Sequence, residues 1–127
     1  MEKLTKQRAA IREAVAQSQR PLLPQEILES AQPAVPGLGI ATVYRNLKAM
    51  VDDGLLRTVD LPGQNTRYEL AAHGHHHHFQ CRGCDRVFDI YACPGDLSNR
   101  APPGFRVEAH TITLYGQCGD CARQSGL

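Results

Sequence analysis

No run of apolar residues in this chain approaches the ~20 needed to cross a bilayer as a helix, so membrane spanning of that kind is excluded. The opening stretch, MEKLTKQRAA, lacks an apolar signal-peptide core, and the expected location is the cytoplasm. Charge of one sign is not in excess either. The formal net charge is +1, and the two halves are each near balance: nine Lys/Arg against eight Asp/Glu in residues 1–70, five against five in residues 71–127. A general positive field is therefore missing, and any nucleic-acid contact must come from local placement of a few cations. There is no His-Glu-x-x-His or comparable motif. A zinc enzyme would need three protein ligands, an open position and a nearby base.

What the chain does have is an ordinary globular composition, 42% hydrophobic and 21% charged, in 127 residues. That is one domain or two very small ones. Small lobes bury little surface, and a structural metal or a second copy is the usual remedy. Four of the five cysteines form two Cys-x-x-Cys pairs, Cys81/Cys84 and Cys118/Cys121. In a reducing compartment such pairs are metal ligands more often than disulfides. Four thiolates on two turns close a tetrahedral shell around one Zn²⁺ and leave no position for a substrate, so the site is structural. Gly83 and Gly119 let the backbone turn toward the ion. A redox role would want a strand–Cys-x-x-Cys–helix setting, which neither pair shows in sequence. Cys93 stands alone and reads as a small, partly buried side chain.

The first part of the chain reads as helical. LTKQRAAIREAVAQS, residues 4–18, carries an apolar stripe of Ile11, Ala14 and Val15 behind a Thr5 cap. Pro24 suits the first position of a second helix, PQEILESAQ. A third runs from Ile40 to Asp53 and stops at Gly54. Its Ile40, Val43, Leu47, Met50 and Val51 define a buried face, and Ala41, Tyr44, Arg45 and Lys48 lie opposite. LLRTVDL and TRYEL, joined by PGQN, read as a hairpin. Three helices and a hairpin describe a winged helix-turn-helix over residues 1–71. The third helix would enter the major groove of double-stranded DNA. Arg45 would reach guanine or phosphate, and Lys48, Arg57 and Arg67 would grip phosphate. The bland alternative is a solvated helix face.

After a hinge at residues 72–74, residues 75–127 turn to histidine, cysteine and short β-rich runs: HHHFQC, RVFDIY and FRVEAHTITLYGQC. The fold class expected is α+β. Side chains alternate along a strand, so His76 and His78 point one way, His75 and His77 the other, and one strand can serve two sites. Glu69, Asp89, Asp96 and His110 are the candidate partners. Imidazole with carboxylate suits Zn²⁺, Fe²⁺, Mn²⁺ or Ni²⁺. A zinc-ribbon module for protein partners and a metal buffer built on the histidine run are the readings from other classes.

The stretches GIATVYRNLKAMVDDGLL, RYEL, HHHHFQCRGC and HTITLYGQCGDC closely resemble the ferric uptake regulator family of bacterial metal-responsive repressors, over nearly the whole chain. The resemblance implies a winged helix, a small α/β dimerisation domain, a homodimer and metal-dependent binding to palindromic operators. Position by position it assigns Tyr44 and Arg45, beside Thr42, to the operator. It gives Cys81, Cys84, Cys118 and Cys121 to structural zinc, and Glu69, His76, His78 and Asp89 to a regulatory metal. His75, His77, Asp96 and His110 fall to an additional site. There are departures. Arg20-Pro21-Leu22 stands where many members place a hinge histidine, for which His73 is the candidate substitute. The segment between Asp89 and His110 is short. Asp89 matches peroxide sensors of the family, and His77 matches zinc sensors, whose usual hinge cysteine is absent. Imidazole dominates both sites, which leans the regulatory metal toward zinc, with iron- or peroxide-responsive regulation as the alternative.

Overall fold

The computed structural model describes residues 2–71, 77–91, 95 and 97–124. The chain divides into two compact units, Met1–Gly74 and His75–Leu127.

The first unit is three helices and a hairpin. Helix α1 spans Glu2–Ser18 and buries Ile11, Ala14 and Val15. It begins before Thr5, so Thr5 lies inside the helix and does not cap it; the good helix formers Glu2, Lys3 and Leu4 extend the first turn. Helix α2, Pro24–Ala31, opens on proline as expected. Glu26 accepts a hydrogen bond from the Leu23 backbone N–H at 2.9 Å and pairs with Arg20 Nη2 at 2.9 Å, which closes the turn before the helix.

Helix α3, Ile40–Asp52, ends on a left-handed Gly54 with φ +79°. The Gly54 N–H donates to Val51 O at 3.0 Å and Leu55 N–H to Met50 O at 2.9 Å, a Schellman cap that satisfies two terminal carbonyls. Val43, Leu47 and Met50 are fully buried, while Ile40 at the helix start is exposed. These three side chains join Ile11, Ile27, Leu28 and Leu56 in one core.

Strands β1 (Leu56–Val59) and β2 (Arg67–Leu70) pair antiparallel, Leu56 opposite Leu70 and Val59 opposite Arg67. Leu22 and Tyr68 exchange backbone hydrogen bonds at 3.0 and 2.8 Å, fastening the hairpin to the α1–α2 connection. This is a winged helix-turn-helix.

The second unit is a three-stranded mixed sheet in the order β4–β3–β5, with β3 His77–Cys81, β4 Val87–Ile90 and β5 Thr113–Gly116. β4 runs antiparallel to β3, and β5 parallel to it with Cys81 opposite Gly116. A short 3₁₀ turn, Ser98–Arg100, lies in the crossover, and helix α4, Gly119–Gln124, follows β5. The long strand expected from FRVEAHTITLYGQC is ordered as a strand only at Thr113–Gly116. The α+β class holds for the chain. Among the described residues no helix is long and apolar enough to cross a membrane.

Candidate metal centres and nucleic-acid face

Parallel strands end at the same edge of a sheet. Because β3 and β5 are parallel, the turns that leave them emerge together, and Cys81, Cys84, Cys118 and Cys121 converge with their sulfurs within 4.8 Å of one another. All four are free thiols, and Cys84 Sγ lies 3.9 Å from Cys118 Sγ, far from a disulfide bond length.

The turns aim backbone N–H groups at the sulfurs: Cys84 N and Cys118 N approach Cys81 Sγ at 3.4 and 3.3 Å. These bonds, Cys118 N–H foremost, draw the Cys81 thiol down to about 6, so it is a thiolate at neutral pH. Cys84 is lowered too, chiefly by the Arg86 guanidinium. Cys121 is pushed up to about 12 by hydrogen bonding to the neighbouring sulfurs, Cys81 first. Crowded sulfurs cannot all ionise together, and a divalent cation in their midst would let all four bind as thiolates. The donor set fits tetrahedral zinc.

Gly83 matters by proximity, not by backbone angle. A Cβ there would stand 3.0 Å from Cys121 Sγ, whereas at Gly119 the nearest atom is Arg123 Nη1 at an ordinary 3.5 Å. The left-handed residue of the first turn is Asp85, φ +64°.

The second Cys pair does have a strand before it and a helix after it, Cys118 following β5 and Cys121 lying within α4, contrary to the sequence reading. The convergence of all four sulfurs still favours metal over redox chemistry, since a redox pair needs only its own partner.

The antiparallel register places His78 opposite Asp89, and His78 Nε2 comes within 3.5 Å of Asp89 Oδ1, whose side chain is 1% exposed. An imidazole nitrogen and a buried carboxylate oxygen aimed at one point fit a divalent cation. His77, one residue earlier on β3, is buried and stacks on His110 with ring centroids 5.1 Å apart. Its Nδ1 accepts the Ile112 N–H at 3.0 Å, which fixes the ring orientation. The candidates His73, His75, His76 and Asp96, and the lone Cys93, lie outside the described residues. Glu69 belongs to the first unit, where it is buried and accepts a hydrogen bond from Arg57 Nε at 3.0 Å.

On α3, Ala41, Tyr44, Arg45 and Lys48 are all exposed, and Tyr44 is 53% exposed. Thr42 accepts a hydrogen bond from Arg45 Nη2 at 3.0 Å, orienting the guanidinium along the outer face. A cleft of about 390 Å³ lies between Tyr44, the start of α2 at Pro24 and Gln25, and Asn65, Thr66 and Tyr68 of the hairpin.

Arg57 and Arg67, the candidate phosphate contacts of the hairpin, both make contacts within the first unit. Strand β2 packs half-buried Tyr68 and Leu70 against the core and buries Arg67 and Glu69 on its other face. Arg67 is 2% exposed, with Nη1 3.5 Å from Gln64 Oε1, and Arg57 is committed to Glu69. Arg67 is enclosed, whereas the Arg57 side chain stays 35% exposed beside Glu69.

Sequence reasoning passed over Arg86. It donates through Nε to Cys84 Sγ at 3.1 Å and through Nη2 toward Cys118 Sγ at 3.8 Å. A cation two residues beyond a Cys-x-x-Cys was the available signal.

Residues 2–115 match the model of the Ferric uptake regulator family. The Ferric uptake regulation protein of Campylobacter jejuni is 31% identical over 130 aligned residues, covering 96% of this chain and 81% of that protein. The Peroxide operon regulator of Bacillus subtilis is 27% identical over 126 residues, covering 96% and 86%. Among solved structures, the Helicobacter pylori ferric uptake regulator Fur, described as having three functional metal binding sites, superposes with a TM-score of 0.72 at 25% identity. It covers 92% of this chain and 80% of its own.

Proposed function

The chain belongs to the ferric uptake regulator family, and from that premise we propose that it is a zinc-responsive repressor that binds a palindromic operator as a homodimer in the cytoplasm. Members of this family are metal-dependent transcriptional regulators, not enzymes, and they bind DNA as dimers. The finer reading of metal, site and operator is ours. The observation that carries it is the His78–Asp89 pair, built by strand register with its two donor atoms 3.5 Å apart.

In this reading residues 1–71 bind DNA, 72–74 are the hinge and 75–127 dimerise. Cys81, Cys84, Cys118 and Cys121 hold structural zinc. Glu69, His76, His78 and Asp89 hold the regulatory ion, whose charge lets carboxylates and imidazoles gather at one point. His75, His77, Asp96 and His110 form the additional site. Ligands drawn from both sides of the hinge restrain the winged helices. Two α3 helices of a dimer then present Tyr44, Arg45 and Lys48 to half-sites about 34 Å apart, one helical turn of DNA. Moving the population from 1:99 to 99:1 requires about 5.5 kcal/mol of differential affinity. By linkage, operator should tighten metal binding by the same factor.

Support for zinc is the imidazole content of both sites. The Campylobacter and Bacillus relatives favour the alternative, an iron- or peroxide-responsive regulator. Operator binding by fluorescence anisotropy, with Zn²⁺, Fe²⁺ and Mn²⁺ titrated anaerobically, separates these. His78→Ala should lose most of the metal dependence and keep the dimer. Undiminished metal dependence in that variant would refute the site.

A further inference from the structure

We propose that Arg86 is a positioning residue of the four-cysteine centre: its guanidinium holds one sulfur from each Cys-x-x-Cys turn and offsets the negative charge gathered there. The inference rests on the reading of that centre as a zinc site.

The geometry is specific. Arg86 Nε is 3.1 Å from Cys84 Sγ and Nη2 is 3.8 Å from Cys118 Sγ, a residue 32 positions away. Nη2 also lies 3.6 Å from Asp120 Oδ2, and the guanidinium carbon stands 5.6 Å from the centre of the Phe88 ring. Asp120 is itself held by Arg123. The two turns come from distant parts of the chain, and the Arg86 guanidinium reaches a sulfur of each.

A planar fork can address two sulfurs at once; a lysine ammonium is a point charge. Four thiolates outweigh a divalent cation, so the loaded centre is anionic, and an adjacent guanidinium lowers that charge. N–H donors also withdraw electron density from sulfur, which slows its capture by protons and electrophiles. A simple surface ion pair with Asp120 would be worth little. The shorter approach to Cys84 makes sulfur the main partner.

The test uses the full chain, metallated with Co²⁺ for spectroscopy and Zn²⁺ for kinetics, with Arg86→Gln and Arg86→Lys. The sulfur-to-cobalt charge-transfer bands should move to lower energy in Arg86→Gln. Zinc transfer to a chromophoric chelator should quicken by ~10–100-fold, the usual cost of losing an outer-shell partner. Arg86→Lys should recover part of both. Unmoved bands in both variants overturn the proposal, even if zinc leaves faster, because faster loss alone reports a loosened turn. If Arg86→Gln does not fold, Arg86→Lys decides: it keeps the charge and lacks the fork, so a band shift supports the proposal and no shift overturns it. A wild-type chain with no charge-transfer bands and no bound zinc would instead refute the zinc site.

Discussion

Replacing Cys81 by serine should unfold the second unit while sparing the first. Cys81 is fully buried, and its sulfur receives the backbone N–H groups of Cys84 and Cys118. A serine oxygen does not ionise at neutral pH and is a poor zinc ligand, so the tetrahedral shell is left open. The second unit has little else to fall back on. Its buried apolar side chains, among the described residues, are Cys81, Val87 and Cys118, whereas the continuous core lies wholly in the first unit. Full burial of a side chain such as Val87 contributes about 1.5–3 kcal/mol. A structural zinc ion in a small module contributes about 10–16 kcal/mol of apparent binding energy at pH 7. The metal therefore outranks the apolar core here, and losing one of its ligands should cost on the order of 5 kcal/mol or more. Hydrogen exchange read by mass spectrometry on the full chain resolves the two units. Amides of β3, β4, β5 and α4 should lose protection, and those of α1–α3 should keep theirs. Wild-type protection across β3–β5 in Cys81→Ser, with a chelator present, would refute the argument that metal holds this sheet.

Three further outcomes follow from the same structure. Arg45→Ala should weaken operator binding by about 1–3 kcal/mol with zinc content unchanged, as read by anisotropy beside metal analysis. Leu47→Ala, at a fully buried position on α3, should cost about 2–5 kcal/mol of stability in denaturant titration, because the closed core of the first unit collapses poorly around the gap. Gly83→Ala should reduce zinc retention against a chelator, since its Cβ would press to 3.0 Å from Cys121 Sγ; an unaltered release rate would show that the turn adapts.

Much was legible in the sequence because its signals are local. Helical period placed Val43, Leu47 and Met50 inside and Tyr44, Arg45 and Lys48 outside, and Pro24 and Gly54 marked helix limits. Cys-x-x-Cys spacing is likewise a property of one turn. Period two held on β2, where Tyr68 and Leu70 pack against the core, but it did not show that Arg67 and Glu69 on the other face are buried as well. Alternation along one strand says nothing of what covers its polar face, and the Arg57–Glu69 ion pair that stabilises the buried carboxylate is a cross-strand contact.

By itself the sequence determined the helices and hairpin of the first unit, where its core lies and which side chains are fit to bind metal. Only the tertiary structure decided which of them meet. The parallel pairing of β3 with β5 brings the two cysteine turns to one edge, the antiparallel register sets His78 against Asp89, and the two together place Arg86 between Cys84 and Cys118. Strand order and register depend on contacts between residues far apart in the chain, and local periodicity carries no record of them.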